Sequence, residues 1–170
     1  MNSHIETNTA ATTTTTEVRE PSEHRRRWAI TGASQGFGRA LTEEVLARGH
    51  DAVVVVRDPE SLQKLKADVG ERLTVLTADL RDETAVAEVG EALTDLDVDV
   101  LINNAGRAIV GAVEEIGLSA LREQLELNFF AAAALTRAIL PLMRARGRGA
   151  IVQMSSQGGR VSFPAAGGYS

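Results

Sequence analysis

A glycine-rich segment between an apolar run and an amphipathic stretch is the first part of this chain that could do chemistry. It reads Thr31-Gly32-Ala33-Ser34-Gln35-Gly36-Phe37-Gly38. Glycines there permit a tight turn and close approach of the backbone to a pyrophosphate, and a following helix N-terminus offers unpaired N–H groups and positive dipole. The segment predicts a dinucleotide-phosphate site spanning Gly32 to Gly38, although the string alone is equally typical of a loop without a ligand.

The end of the second apolar run bears on which dinucleotide is bound. An acidic residue there would accept hydrogen bonds from the adenosine ribose and repel a 2′-phosphate. Val56 stands at this place, and Arg57 follows it with a guanidinium that can pair bidentately with phosphate. The sequence therefore favours NADP(H), with NAD(H) as the alternative cofactor. The competing interpretation of Arg57 is a surface arginine in the turn before Asp58-Pro59.

The elements that must position these residues follow from the hydropathy pattern. From Trp28 onwards, short apolar runs alternate with amphipathic stretches, as in βαβ units. The predicted strands are Trp28–Thr31, Ala52–Val56, Leu73–Thr77, Val98–Ile102 and Ala150–Met154. The predicted helices are Phe37–Arg48, Glu60–Val69, Glu83–Leu96 and Leu118–Arg146, the last broken into two.

This alternation predicts an α/β fold, a Rossmann-type doubly wound parallel sheet in three layers. The run Val53–Val56 has no polar alternation, as expected for a strand covered by helices on both faces. In such sheets ligands bind beyond the carboxyl ends of the strands, near the switch in strand order. The residues after the strands are therefore the ones to examine for function.

Length and composition set the remaining bounds. The 170 residues suffice for one domain, which we place at residues 28–170, after a disordered Thr-rich tail at residues 1–27. The net charge is −5 and the chain has no long basic cluster, so neither nucleic acid nor a membrane is an expected partner. No cysteine is present and the histidines lack ligand spacing, so no metal is predicted. We expect a soluble, cytoplasmic protein.

Two further motifs, in order along the chain, join the glycine-rich segment. Asp79-Leu80 follows the third strand and Asn103-Asn104-Ala105-Gly106 follows the fourth. Together with the TGxxxGxG spacing of the first motif, they resemble the short-chain dehydrogenases/reductases. The resemblance implies that Asp79 and Leu80 contact the adenine ring and that Asn104, Ala105 and Gly106 line the cofactor. Taken alone, Asp79 could cap the next helix and the asparagine motif could be an ordinary turn.

The same resemblance extends to a catalytic set. It implies that Ser156 polarises a substrate oxygen, that Tyr169 is the general acid or base, and that Asn128 helps to hold a water in a proton relay. Ser156 and Tyr169 are 13 residues apart, the usual family separation, which selects Ser156 over Ser155. The implied reaction is hydride transfer between NADP(H) and a small-molecule carbonyl or alcohol. Otherwise the serine would be a turn residue and Asn128 a helix-kinking one.

The resemblance stops where the sequence stops. Tyrosine has an ordinary pKa near 10, and in this family a lysine about four residues further on supplies the positive charge that favours its phenolate. The sequence ends at Ser170. We therefore expect an oxidoreductase truncated after Tyr169, with a fold incomplete on its C-terminal side and no activity by itself; its full-length form would be a homo-oligomer. The alternative is a non-catalytic dinucleotide-binding or interaction module, or a nonfunctional product.

Overall fold

The computed structural model describes residues 25–169, so the predicted tail from Met1 to His24 lies outside the described residues. The strands are β1 (Arg27–Thr31), β2 (Asp51–Val56), β3 (Leu73–Thr77), β4 (Val100–Asn103) and β5 (Ala150–Gln153). The α-helices are α1 (Gly36–Ala47), α2 (Gln63–Val69), α3 (Glu83–Asp95), α4 (Leu118–Leu125) and α5 (Ala131–Arg146). A π-helical turn, Glu126–Phe130, joins α4 to α5, and 3₁₀ turns lie at Pro59–Leu62, Gly70–Arg72 and Gln157–Gly159.

The strands form one parallel sheet in the order β3-β2-β1-β4-β5. β1 pairs with β2 on one side and with β4 on the other, so the strand order reverses next to β1. This confirms the predicted doubly wound α/β fold. It also places the carboxyl ends of β1 and β4, and the motifs that follow them, side by side.

Two hydrophobic cores cover the two faces of the sheet. Alternate residues of β2 point to opposite cores: Val53 and Val55 pack with α3 and α5, whereas Val54 and Val56 pack with α1. All four side chains are at most 4% exposed. The missing polar alternation in this strand is thus explained by helices on both faces, as predicted.

Most element boundaries agree with prediction, and the differences have local causes. β1 begins at Arg27, the last residue of the predicted tail, whose backbone N–H donates to Asp99 Oδ2 at 3.0 Å. β4 begins at Val100, two residues later than predicted. The predicted second helix begins as a 3₁₀ turn, because Asp58 Oδ1 accepts the Glu60 N–H at 3.0 Å and caps it.

The predicted break within Leu118–Arg146 is a single π-helical turn rather than a gap. By length and composition alone, this 29-residue helix could span a membrane. Such a signal is weak, because core helices pass the same test. The α5 part contributes Leu135, Ile139 and Met143 to the core between α3 and the sheet.

Candidate active site and cofactor cleft

The glycine-rich turn between β1 and α1 has the backbone geometry that its sequence predicts. Gly32 and Gly36 have φ of +70° and +58°, values that side-chain-bearing residues rarely adopt. A Cβ on Gly32 would lie 2.8 Å from Ala105 Cα, whereas a Cβ on Gly36 would meet nothing within 4 Å. Gly32 is therefore needed for packing and conformation, and Gly36 for conformation with open space beside it.

The turn after β4 is locked to the turn after β1. Thr31 Oγ1 accepts the backbone N–H groups of Asn104 and Ala105 at 3.0 and 2.9 Å. In return, Asn104 Nδ2 donates to the carbonyl oxygens of Thr31 and Gly32 at 2.9 and 3.2 Å. The asparagine motif is thus more than an ordinary turn, because it fixes the position of the glycine-rich loop.

A cavity of about 490 Å³ lies beyond the carboxyl ends of β1, β2, β3 and β4. Of the predicted cofactor residues, it is lined by Gly32, Ser34, Gln35, Gly36, Arg57, Asp79, Leu80, Asn104, Ala105 and Gly106. The structure brings these residues together around one space. Its size and its glycine-rich turn suit a dinucleotide.

Three predicted cofactor residues do not line this cavity. Ala33 is fully buried in the core between α1 and the sheet, and Phe37 is 78% exposed on the first turn of α1. Gly38 is buried under the neighbouring loop, where a Cβ would come within 2.5 Å of Asn104 Nδ2. Gly38 therefore permits close packing of the two turns rather than contact with a ligand in the cavity.

One end of the cavity is charged. Arg81 Nε donates to both carboxylate oxygens of Asp79, at 3.0 and 3.1 Å, and Arg81 Nη2 donates to Oδ2 at 2.5 Å. These hydrogen bonds lower the pKa of Asp79 to about 2, with a smaller contribution from the charge of Arg57. Asp79 is thus a carboxylate at any pH near neutrality.

The alternative that Asp79 caps the next helix is wrong. The N-cap of α3 is Asp82, whose Oδ1 accepts the Ala85 N–H at 3.0 Å. Asp79 instead accepts the Arg81 backbone N–H at 3.1 Å and faces the cavity.

A second cavity, of about 390 Å³, contains the three predicted catalytic residues, Asn128, Ser156 and Tyr169. It shares four lining residues with the first cavity, from Asn104 to Arg107. The two cavities therefore meet at the turn after β4. A ligand crossing this turn would extend from the phosphate-binding loop to the serine and tyrosine.

Asn128 lies in the π-helical turn and holds the loop after β4. Its Oδ1 accepts the Arg107 N–H at 2.9 Å, and its Nδ2 donates to the Arg107 carbonyl oxygen at 2.8 Å. The helix irregularity that the alternative interpretation expected is therefore present, whereas the predicted role in holding a water stays a prediction. The contact that the amide makes is with the backbone at the junction of the two cavities.

Ser156 follows β5 and begins the 3₁₀ turn Gln157–Gly159. Its Oγ accepts the Gly158 N–H at 3.2 Å, so it is a turn-capping residue, while its own hydroxyl hydrogen is left to donate elsewhere. The Tyr169 ring packs on the same turn: a Cβ on Gly158 would lie 2.9 Å from Tyr169 Cε1. Ser155 also lines this cavity, so lining does not distinguish the two serines.

Sequence reasoning missed Gln124, which ties together the two loops that frame the second cavity. This side chain is 4% exposed; its Oε1 accepts the Ile109 N–H at 2.7 Å and its Nε2 donates to the Gly168 carbonyl oxygen. Gly168 directly precedes Tyr169, so Gln124 helps to position the tyrosine. Its place four residues before Asn128, on an otherwise amphipathic helix, was the available signal.

Arg81 and Arg107 were also missed as cavity residues. Both lie near Glu123 of α4, with Arg81 Nη1 at 3.1 Å and Arg107 Nη1 at 3.8 Å from its Oε2. Their sequence context, one residue beyond each motif, gives no separate signal. Only the fold brings α4 over the ends of β3 and β4.

The comparisons with known proteins agree with this geometry. The family described as short chain dehydrogenase matches residues 27–170. The NADP-dependent 3-hydroxy acid dehydrogenase YdfG of Escherichia coli O157:H7 is 32% identical over 142 residues, which are 82% of this chain and 56% of that protein.

Solved structures give the same result. A short-chain dehydrogenase from Streptomyces avermitilis superposes with a TM-score of 0.83 at 42% identity, covering 88% of this chain and 56% of that one. A putative NAD(P)-dependent gluconate 5-dehydrogenase from Beutenbergia cavernae, with NADP bound at low occupancy, has a TM-score of 0.78 at 33% identity and coverages of 85% and 59%. The chain spans about half the length of the relatives it matches. It belongs to the short-chain dehydrogenase/reductase family of oxidoreductases.

Proposed function

We propose that this chain is the cofactor-binding part of an oxidoreductase that transfers hydride between NADP(H) and a carbonyl or alcohol carbon. The observation that carries the proposal is the junction of the two cavities at the turn after β4. One cavity is built around the phosphate-binding loop and the other around Ser156 and Tyr169.

The residues of the first cavity fit a dinucleotide. Gly36 leaves room for phosphates at the N-terminus of α1, and Arg57 and Asp79 line the same cavity. Among the described residues, the Arg57 side chain makes no hydrogen bond or ion pair, so its donors are available to a 2′-phosphate. The NADP-dependence named for the Escherichia coli relative and the NADP bound in the Beutenbergia cavernae structure support NADP(H) as the cofactor.

The chemistry of the second cavity follows from its hydroxyl groups. A bound nicotinamide supplies or accepts the hydride at the substrate carbon. In the reducing direction, Ser156 donates its hydroxyl hydrogen to the carbonyl oxygen and stabilises the negative charge that develops there. Tyr169 gives its proton to the same oxygen, so that the product is the alcohol.

Asn128 serves this site through the backbone. Both ends of its amide are bonded to Arg107, and this holds the junction of the two cavities in place. We propose that it is a positioning residue, whereas the family resemblance implies that it helps to hold a water. Any water in a proton relay would be ordered by the main chain that Asn128 fixes.

A rival function, dinucleotide binding without turnover, is favoured by one observation. A cation beside a phenolate favours the ionised form. The cation that lines the second cavity within the described residues is Arg107, and its Nη1 lies 3.8 Å from Glu123 Oε2, while Lys64 and Lys66 lie in α2. The 170-residue chain produced by itself is therefore expected to bind cofactor and to turn over poorly.

The test is carbonyl-dependent oxidation of NADPH by the full-length protein, using a panel of aldehydes and ketones. Tyr169→Phe and Ser156→Ala should each lower kcat by roughly 10²-fold or more, with NADPH affinity unchanged. Ser155→Ala is the matched control, since it removes the neighbouring hydroxyl of the same cavity. Turnover that survives Tyr169→Phe, or that is lost equally in Ser155→Ala, would contradict these assignments; NADPH binding with no turnover of any carbonyl would favour the rival.

A further inference from the structure

We propose that Arg81 sets the preference for NADP(H) by holding the carboxylate of Asp79, which leaves Arg57 available for the 2′-phosphate. This inference rests on the proposed function and adds a specificity-determining residue to it. Arg81 would act through Asp79 and would be a positioning residue for the cofactor.

The Asp79 carboxylate is fully hydrogen-bonded to Arg81. Both of its oxygens accept hydrogen bonds from Arg81, in a side-on bidentate pair between residues two apart in the chain. The backbone N–H of Arg81 adds a third donor to Oδ1 at 3.1 Å. The guanidinium of Arg81 is fully paired as well, because its remaining nitrogen, Nη1, donates to Glu123 Oε2 at 3.1 Å.

Arg57 is the contrasting group. It is exposed at the end of β2, lines the same cavity and has no side-chain partner among the described residues. Its charge nevertheless reaches Asp79, since it contributes to the lowered pKa of that carboxyl. Both side chains line one cavity within electrostatic range of each other, so an Asp79 carboxylate without Arg81 would compete with a phosphate for Arg57.

The charge balance at this end of the cavity gives the expected sign. The charges here are those of Arg57, Asp79 and Arg81 and of the Glu123–Arg107 pair that Arg81 contacts. They sum to one positive charge, which attracts the dianionic 2′-phosphate. Removing Arg81 leaves a sum of zero and an unpaired carboxylate beside Arg57. That carboxylate repels a 2′-phosphate and at the same time attracts the guanidinium that should bind it. NAD(H), which lacks the phosphate, gains or loses little from either effect.

The experiment is a fluorescence titration of the full-length protein with NADPH and with NADH. Arg81→Leu should weaken NADPH binding by about tenfold, the scale of one charge-assisted hydrogen bond, and should change NADH binding much less. The double variant Arg81→Leu/Asp79→Asn should regain NADPH affinity, since the competing carboxylate is gone. Arg57→Ala removes the proposed phosphate partner itself, and its loss of NADPH affinity is the reference against which the Arg81→Leu loss is compared.

Controls separate this role from a structural one. Arg48→Leu removes another arginine with a carboxylate partner, Glu44, on the exposed face of α1 and should leave both affinities unchanged. If Arg81→Leu unfolds the protein, the single variant Asp79→Asn tests the proposal instead. Its ratio of NADPH to NADH affinity should equal or exceed that of the wild-type protein, and a lower ratio would overturn the proposal.

Two results would overturn the role of Arg81 itself. One is an equal loss of NADPH and NADH affinity in Arg81→Leu, and the other is no recovery in the double variant. The failure of the proposed cofactor preference looks different: the wild-type protein and Arg57→Ala would then bind NADPH no better than NADH.

Discussion

At the scale of single residues, two glycines of the glycine-rich loop differ in their surroundings. Both have positive φ, but only Gly32 is packed against another backbone. A side chain at Gly32 therefore threatens the fold, whereas one at Gly36 projects into open space next to the cavity. The glycine pattern in the sequence could not make this distinction, because the contact is with Ala105, more than 70 residues away in the chain.

We predict that Gly36→Val abolishes dinucleotide binding in a protein that still folds. The strained φ costs on the order of 1 to 2 kcal/mol of stability, and the branched side chain occupies space that the pyrophosphate needs. Gly32→Val should instead lower the melting temperature severely or prevent folding, because its Cβ would lie 2.8 Å from Ala105 Cα. Calorimetric titration and thermal melting check both variants. Unchanged NADPH affinity in folded Gly36→Val would count against the phosphate-loop assignment.

Residue-scale prediction succeeded where a motif is local and failed where partners are distant. The glycine loop, Arg57 and the asparagine turn lie around one cavity as expected, since each directly follows a strand of a parallel sheet. Gln124 was not foreseen, because its partners Ile109 and Gly168 are distant in the chain. Arg81 was not foreseen either, because the sequence does not show that it pairs with Asp79 at the edge of the cavity. The capping alternative for Asp79 failed for a local reason: Asp82, three residues later, is the residue with the extended backbone of an N-cap.

At the scale of elements, the region from α4 to α5 acts as the brace of the second cavity. Gln124 in α4 and Asn128 in the π-helical turn bond to three separate points of the two surrounding loops, at Arg107, Ile109 and Gly168. The strands and helices themselves were predicted to within two residues at most ends. This is because the spacing of apolar residues reflects which side of each element is buried. A π-helical turn leaves no such period, so this feature could only be seen in the structure.

We predict that Gln124→Leu destabilises the protein by about 1 to 3 kcal/mol, the cost of leaving buried groups unsatisfied. Asn128→Ala should cost about 0.5 to 1.5 kcal/mol, because its partner groups on Arg107 are exposed to water. Gln124→Leu should also lower kcat, because Gly168 and with it Tyr169 lose an anchor, while NADPH affinity changes little. Thermal melting and steady-state kinetics on the full-length protein measure both effects. Gln124→Glu is the matched variant, since it keeps the acceptor for Ile109 and loses the donor to Gly168. Wild-type kcat in Gln124→Leu would show that this brace does not position the tyrosine.

At the scale of the whole molecule, the described residues leave the β5 edge of the sheet uncovered. β5 pairs only with β4, and its residues are mostly exposed, with Val152 at 42% and the following Met154 at 45%. β3 forms the other edge, but its first residue, Leu73, is fully buried and its next three are half-buried. The parallel sheet and its coverage on both faces were predicted from the βαβ pattern, whereas the strand order, and with it the edge position of β5, is seen in the structure.

The last prediction concerns this edge. When residues 1–170 are produced alone, the unpaired backbone groups and apolar side chains of β5 should pair with other chains, giving oligomers or aggregates and a lowered melting temperature. A chain extended by the C-terminal half of a relative should be soluble and melt cooperatively, because that half can supply a neighbouring strand and a covering helix. Light scattering and thermal melting compare the two.

Val152→Lys separates edge pairing from general instability. A lysine on an exposed edge strand opposes pairing with other chains, so it should reduce the aggregation of the 170-residue chain. In the extended chain the same lysine would be buried beneath the added elements, where an unpaired charge is costly, and it should lower the melting temperature. Opposite effects of one substitution in the two chains are the signature of an edge that the added half covers. A monomeric 170-residue chain that melts cooperatively, with Val152→Lys acting alike in both contexts, would show that β5 is a stable edge in its own right.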